Sequence, residues 1–514
     1  MIKKIQQDFS YYSHEFKDNY RKGVHRLRTI LASRAQAQAF VSNAGGVAVV
    51  LGYEPETPDK NAQELYALLA ASPYIDDAVQ TFLGSIYEAG AESQDAMYSD
   101  SARCLEILHD PVMSRSAGAG AVSAGKWIAT LAGQSCNLYR DMNAVAASDI
   151  AMTAVAASET AMAAVVSNAT ALNAVVTSRV ALNAVAASET AMAAVIGNVT
   201  ALNAVVTSQA AMNAVAASET AMTAVVANST ALNAVVTSHV AMNAVASSYV
   251  AVAAVYESAV AVEAVKANET AWSTLTGASS AVMGKAAAKL AGLNPADYAD
   301  MAAIASSSTA MAAVASSQTA MAAIIGNSTA LNAVVASSTA MAAIEKSQVA
   351  KDAIAASDMA TAKYAVGAAG LKPADYANMA AVAASQTAMA AIIGNSTALN
   401  AVVASSTAMA AIAASSTALS AIAASTTALD AIYAKKKRMS GASASLSGKF
   451  IILQISNDNA FDTSKYGYAT LSDGSKPNWS SYLAKYAYFK EYKKIATYMK
   501  NDTDSNDWID YFQC

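Results

Sequence analysis

Few side chains in this chain have types and spacings that could support catalysis. The four histidines, His14, His25, His109 and His239, lie in no metalloprotease, hydrolase or phosphate-loop motif. Cys104 precedes His109 by five residues, but a core thiol near a surface imidazole is the more common arrangement than a catalytic pair. His239 occupies a variable position of a repeat and is predicted to be solvated. We therefore expect no catalytic residue and no cofactor.

One acidic segment could hold a calcium ion. Asp502-x-Asp504-x-Asn506 matches the opening of a calcium-binding loop. Asp507 stands where that loop needs glycine, and Gln513 stands where it needs a bidentate glutamate. A solvated acidic turn is therefore the preferred interpretation. The three cysteines are widely spaced and include no C-x-x-C pair, which indicates neither a disulfide framework nor a zinc site, so no metal is expected.

Aromatic side chains are dense in the C-terminal segment. Tyrosine and tryptophan are common at binding surfaces, but they also build the core of small domains that lack leucine. The core interpretation is preferred for most of them, with some exposed at a recognition face. The candidates for that face are Tyr466, Tyr468, Trp479, Tyr482 and Trp508.

The composition excludes several function classes. Hydrophobic residues make up 54% of the 514 residues, yet only 8 are Phe and 4 are Trp, so alanine dominates and a thick conventional core is not expected. Charged residues are 14% and the net charge is −5, which gives no basic surface for nucleic acid. The basic run 435–438 is predicted to complement the dipole at a helix C-terminus.

Neither a membrane-spanning segment nor a secretion signal is predicted. No stretch of about 18 residues is apolar throughout, so membrane insertion is not expected. The first residues, MIKKIQQDFSYYSHEF, lack the apolar run of a signal peptide. The expected place of synthesis is a reducing cytoplasm.

The middle of the chain is an alanine-rich array with a ten-residue period. Met or Leu recurs every ten positions, and Val or Ile follows three residues later, which is an i, i+3 pair on one helical face. Ser or Asn opens each repeat as a plausible helix N-cap. Three unlike decads form a 30-residue unit, in which Ser-Glu-Thr recurs at Ser158, Ser188 and Ser218. The predicted core anchors are Met152, Val155, Met162, Val165, Leu172 and Val175.

The period argues against one continuous helix. Ten residues fall about 80° short of three full turns, so the apolar stripe would spiral around a straight helix. We predict a mainly α fold in which short helices, joined by tight corners, stack as a solenoid of three helices per coil. The glycine of segment 196–198, IGN, is expected in the left-handed conformation that follows a helix. A trimeric overwound coiled coil and a β-solenoid are the alternatives.

The chain divides into seven predicted segments. Two similar sequences, 293–301 and 371–379, introduce the second and third arrays and are 78 residues apart, whereas identical stretches starting at Thr319 and Thr387 are 68 apart. The difference is one decad, which identifies the decad as a structural unit. The segments are a helical head (1–140), a first array (141–275), a connector (276–298), a second array (299–356), a connector (357–376), a third array (377–434), and a small α+β tip (435–514) with a predicted strand at 448–456.

The arrays resemble those of known virion proteins. Runs such as SSTAMAAIAASSTALSAIAAS, residues 405–425, are similar to the decad arrays in tail-fibre and related appendage proteins of tailed bacteriophages. The resemblance covers roughly 142–272 and 299–434 and includes no catalytic residue. It implies a non-enzymatic structural protein of the virion, with a head bound to the particle, a repetitive shaft, and a distal tip for host recognition or capping.

The same resemblance implies partners and leaves alternatives. The expected partners are other tail or neck proteins, further copies of the chain with a trimer favoured, and a host surface receptor. A neck whisker or collar fibre is the first alternative to a tail fibre. A bacterial surface adhesin is the second, and it would normally carry an export signal.

Overall fold

A computed structural model describes residues 3–17, 20–53, 63–87, 93–456, 467–477, 485–501 and 507–514. The protein is mainly helical, with one small antiparallel sheet in its C-terminal part. The chain divides into two compact units, Met1–Leu275 and Thr276–Cys514. The first unit contains the predicted head and first array, and the second contains the remaining segments.

The residues before the first array pack around one short helix, Ala44–Leu51, in which every residue after the first is buried. The Asn43 side chain caps this helix by accepting a hydrogen bond from the Gly46 N–H. The described helices of this region are α1 (Lys3–Phe16), α2 (Tyr20–Ala32), α3 (Arg34–Val41), α4 (Ala44–Leu51), α5 (Gln63–Ala70), α6 (Ile75–Ile86), α7 (Gln94–Tyr98), α8 (Ser101–His109), α9 (Pro111–Ala117), α10 (Ala121–Leu131) and the 3-10 helix η1 (Cys136–Leu138).

Each decad of the first array forms one short α-helix, and consecutive helices such as Asp149–Ala157 and Glu159–Ser167 are bent by 99°. Each helix from Met142–Ala147 to Ser229–Thr237 also contacts the helix three further along the chain. The helices are α11 (Met142–Ala147), α12 (Asp149–Ala157), α13 (Glu159–Ser167), α14 (Ala169–Thr177), α15 (Arg179–Ala187), α16 (Glu189–Ile196), α17 (Val199–Thr207), α18 (Gln209–Ala217), α19 (Glu219–Ala227), α20 (Ser229–Thr237), α21 (His239–Ala246), α22 (Tyr249–Glu257), α23 (Ala259–Lys266) and α24 (Glu269–Thr276).

A single extended residue makes each corner. Ser178 has φ −101° and ψ 119°, its N–H bonds back to the Val175 carbonyl, and its hydroxyl accepts from the Ala181 N–H. The expectation of a left-handed glycine is wrong, because Gly197 has φ −70° and ψ −11°. The cap residue that follows the glycine makes the turn, so the glycine only completes the helix.

The second unit continues with the same short helices. Residues 142–434 are all described and contain no strand, and their helices end at each decad, so the β-solenoid and the continuous coiled coil are wrong. The helices are α25 (Ser280–Leu290), η2 (Pro295–Asp297), α26 (Met301–Ser306), α27 (Ser308–Ser316), α28 (Gln318–Gly326), α29 (Ser328–Val335), α30 (Ser338–Lys346), α31 (Gln348–Ala355), α32 (Asp358–Ala368), η3 (Pro373–Asp375), α33 (Met379–Ala384), α34 (Gln386–Ile393), α35 (Ser396–Ala404), α36 (Ser406–Ala413), α37 (Ser416–Ala424) and α38 (Thr426–Tyr433).

The described C-terminal residues form an antiparallel sheet and one short helix. The strands run in the order β1-β5-β2-β4-β3, and β2 contains the predicted strand 448–456. β2 is long enough to pair with β4 through its first half and with β5 through its second. The elements are β1 (Lys437–Ser440), β2 (Ser445–Ser456), β3 (Tyr468–Leu471), α39 (Ala487–Tyr492), β4 (Ala496–Lys500) and β5 (Trp508–Gln513).

Candidate functional site

The opening residue of a decad makes two hydrogen bonds with different roles. The Ser238 hydroxyl accepts from the Ala241 N–H at 3.2 Å and donates to the Val206 carbonyl at 2.6 Å. The first bond satisfies a free N–H at the start of its own helix, and the second satisfies a free carbonyl at the end of another helix. One side chain therefore caps two helix termini that are a full 30-residue unit apart.

This second bond recurs at a constant separation of 32 residues in both units. In each pair the hydroxyl or amide of the cap donates to the carbonyl of the next-to-last residue of the helix four positions before the one that it caps, so three helices lie between the two. The pairs are Ser178 with Ala146, Ser188 with Ala156, Ser218 with Ala186, Ser238 with Val206, Ser248 with Ala216, Asn268 with Val236, Ser337 with Ala305, Ser347 with Ala315, and Ser415 with Ala383.

The donated bond favours serine or asparagine at the nine caps that make it. Aspartate is as good an N-cap as serine or asparagine, but an ionised carboxylate has no proton to donate. In residues 142–434, all of which are described, every later decad opens with Ser or Asn. Aspartate caps only the first helix of an array, at Asp141 and Asp300, which no array helix precedes.

All three arrays begin with the same structural module. It consists of α10, α25 or α32, a glycine with positive φ, a 3-10 helix, and a capping Asp or Asn before the first anchor methionine. A lysine precedes the methionine by 16 residues in each copy, at Lys126, Lys285 and Lys363. The modules span 121–142, 280–301 and 358–379.

The three modules also make equivalent contacts. The third cap of each array donates to the last residue of the module helix, from Ser158 to Leu131 at 3.1 Å, from Ser317 to Leu290 at 2.9 Å, and from Asn395 to Ala368 at 2.7 Å. The last carbonyl of each module helix therefore accepts the bond that later caps donate to an array helix.

Sequence reasoning identified only the second and third copies. The first is hidden because η1 contains Cys136, Asn137 and Leu138 where the other two contain Pro-Ala-Asp. The available signal was the spacing of the lysine, glycine, tyrosine and methionine, which is the same in all three.

The module glycine is expected to be required for its backbone conformation. Gly292 has φ +72°, where a side chain costs roughly 1–2 kcal/mol. We expect Gly292→Ala to lower the urea midpoint of the second unit. Gly394 has φ −74° and is the matched control, since Gly394→Ala should be neutral or stabilise by roughly 0.5–1 kcal/mol. Equal shifts for the two variants would show that the left-handed conformation is not what selects this glycine.

The predicted anchors lie in the interior of the first array. Met152, Val155, Met162 and Val165 are fully buried, and Leu172 and Val175 are 6% and 3% exposed. The alanine three residues after each cap is also buried, as at Ala151, which leaves no room for a larger side chain between stacked helices.

The C-terminal sheet covers the end of the third array. Ile451, Leu453 and Phe512 from the sheet, together with Phe489 of α39, share one apolar core with Ile432 of α38. Asp430 of α38 also accepts hydrogen bonds from Lys485 and Tyr486, and these bonds hold the pKa of its carboxyl below the usual value. The sheet thus buries the apolar face that would otherwise end the array in water.

A buried carboxylate attaches α38 to the sheet. Asp510 is fully buried and receives two bonds from the Arg438 guanidinium, at 2.6 and 2.8 Å, and one from the Tyr433 hydroxyl at 3.1 Å. The basic run 435–438 was predicted to act at a helix C-terminus. Its last two residues instead belong to β1, and Arg438 neutralises Asp510 there.

The structure does not bring the predicted recognition residues together. Tyr468 lies on the edge strand β3 beneath the Lys476 ammonium, 4.7 Å from its ring centre. Trp508 lies at the start of β5, with the Arg438 guanidinium 3.6 Å from its ring. Strands β2 and β4 separate β5 from β3, so the two rings form no common patch. Tyr466, Trp479 and Tyr482 lie outside the described residues.

The described part of the chain offers little reactive chemistry. The four histidines are exposed, whereas Cys104 is fully buried, and that burial raises the pKa of its thiol to about 12. No group of three or more His, Cys, Asp or Glu side chains among the described residues is placed to hold a metal ion. The candidate calcium segment 502–506 lies outside them.

None of the described helices alone has the length and apolar character needed to cross a bilayer, although seven bent helix pairs do so jointly by length and composition.

No protein-family model matches the chain, and no curated protein matches its sequence.

Proposed function

We propose that this chain is a structural component of a bacteriophage virion appendage, most simply a tail fibre. The observation that carries the proposal is the constant 32-residue separation of the cap-to-carbonyl bonds. A bond that repeats without change permits an array to be lengthened or shortened by whole units. Such an array is suited to a spacer or shaft.

The arrays are solenoids in this proposal, with three short helices per coil. Consecutive helices bend by about a right angle, as the 99° between Ser308–Ser316 and Gln318–Gly326 illustrates. Helices three apart are in contact, and a cap such as Ser337 bonds back over the three helices that lie between it and Ala305. Each coil would then contact mainly its two neighbours, as in other repeat proteins.

The capped ends of the arrays also support a role as a shaft. An exposed terminal coil would present an apolar face to water, so repeat proteins need terminal caps. The module helices supply such a cap at the start of each array, and the C-terminal sheet supplies one at the end of the third. The main role of the proposed tip is therefore to cover the end of the third array, because its aromatic residues Tyr486, Phe489 and Phe512 are buried against that array.

Immuno-electron microscopy of particles that carry the chain tests location and polarity together. Antibodies against 436–514 should mark the far end of a thin projection, antibodies against 1–140 should stay close to the particle, and antibodies against the first array should lie between them. Labelling at the neck would assign the chain to a whisker or collar. Head label outermost would reverse the proposed polarity, and a chain found only on bacterial surfaces would replace the proposal with the adhesin.

A further inference from the structure

The second unit contains a groove that no part of the proposed function uses. Two adjoining cavities of 450 and 390 Å³ share Glu345, Tyr364 and Thr397, so they form one continuous depression. Helices α30 and α31 form one wall, and α32 and α35 form the other. Its size is within the range of about 300–1,000 Å³ that is usual for small-molecule sites.

The third start module creates this groove. α32 packs against α29 of the second array and also against α35 of the third. The module thereby places the outer surface of α35 opposite α30 and α31. Residues 328–336 and 396–404 have the same sequence, STALNAVVA, but different surroundings. In the earlier copy Asn332 accepts a bond from the Lys363 ammonium at 2.9 Å, whereas in the later copy Asn400 lines the groove.

The polar groups of the groove are balanced in charge. Two carboxylates, Glu345 and Asp352, are matched by two ammonium groups, Lys351 and Lys435. The hydroxyl of Tyr364, a residue 2% exposed, donates to the Glu345 carboxylate where the two cavities meet. Burial and the neighbouring Glu345 raise the pKa of Tyr364, so its hydroxyl keeps the proton that it donates.

Two further polar side chains in the groove are free to bind a ligand. Thr397 and Asn400 have no hydrogen-bond partner within the described chain, and both groups can donate and accept. The remaining surface is largely small and apolar, with Ala401, Ala404 and Ala431 among its residues.

We propose that this groove binds an uncharged polyhydroxylated ligand, a carbohydrate of one or two sugar residues. A hydroxyl group donates and accepts at the same atom, which matches the mixed donors and acceptors of Thr397, Asn400 and Glu345. A nucleic acid or other polyanion would need an excess of cations, which the balanced charges do not provide. An extended peptide would need backbone partners, and the sides of α-helices offer none.

Saturation-transfer NMR on the full chain tests the proposal with defined probes. The panel contains neutral mono- and disaccharides, glucuronic acid, glucosamine and the tripeptide Gly-Ser-Gly. We expect signals from neutral sugars and a loss of affinity of about tenfold or more in Asn400→Leu, which removes the amide donor and acceptor with little change in side-chain size. Thr397→Val, which changes little in volume, should weaken the same sugars by several-fold.

The matched control is Asn203→Leu, an exposed asparagine at the same decad position in the first array. It should leave sugar binding unchanged, and circular dichroism should show equal helix content in all variants. The proposal is overturned if no neutral sugar in the panel binds, if the tripeptide or a charged sugar binds more tightly, or if Asn203→Leu and Asn400→Leu have equal effects.

Discussion

Removing one complete 30-residue unit of three decads, residues 188–217, is expected to leave a folded array, whereas removing only residues 213–217 should disrupt it. The first deletion joins Ala187 to Ser218, so one Ser-Glu-Thr decad replaces another and Ser218 can donate to the Ala156 carbonyl in place of Ser188. The second deletion shortens α18 to half its length and removes the anchor Val215. Helices beyond the break then cannot reach their stacking partners.

The expected difference is large. The 30-residue deletion should shift the melting temperature by no more than about 3 °C, which corresponds to roughly 1 kcal/mol in a domain of this size. The short deletion should expose several anchors, each of which contributes about 1.5–3 kcal/mol by burial. Thermal unfolding followed by far-UV circular dichroism, together with limited proteolysis, measures both. Equal melting temperatures and equal protease resistance would contradict the modular array.

Ser238→Asp is expected to be more damaging than Ser238→Ala, although aspartate is a good helix cap in isolation. The carboxylate can still accept from the Ala241 N–H, but it cannot donate to the Val206 carbonyl and places negative charge against that oxygen. Ser238→Ala should cost about 1–3 kcal/mol for the lost cap and the unpaired carbonyl. Ser238→Asn should be nearly neutral, since Asn268 makes both bonds.

Ser148 provides the control for this series. Its hydroxyl accepts from the Ala151 N–H but donates to no carbonyl across the array. Ser148→Asp should therefore change the free energy of unfolding little, because aspartate and serine are similar helix N-caps. Urea unfolding of the four variants gives the ranking. If Ser238→Asp is as stable as the parent protein, the bond from the cap to the Val206 carbonyl does not determine which residue type can cap this helix.

Local rules account for the features that could be predicted from the sequence. A helix and its cap depend on hydrogen bonds between residues three or four apart. The decad, its Ser or Asn cap and its Met–Val face can therefore be recognised in the sequence of a single repeat. The same reasoning predicted that the helices are short, because a ten-residue period does not match a straight helix. The strand at 448–456 was also predicted, from one apolar run with no helical period.

Other features depend on contacts between residues distant in the sequence. Asn332 and Asn400 lie in identical segments, yet one is held by Lys363 and the other lines a groove. The role of Arg438 depends on Asp510, which is 72 residues away. Tyr468 and Trp508 were grouped as one recognition face by composition, but the strand order places two strands between β3 and β5.

The sequence by itself determined the repeat, the helix breaks and the residues that face inward, because each is decided within about one helical turn. Only the tertiary structure decided that a cap serine can also donate to an earlier helix, and which of two identical decads faces a neighbour or solvent. The physical reason is that a decad has several equivalent partners along the chain. The surroundings of a decad depend on its place in the 30-residue unit and on the start modules that interrupt the arrays.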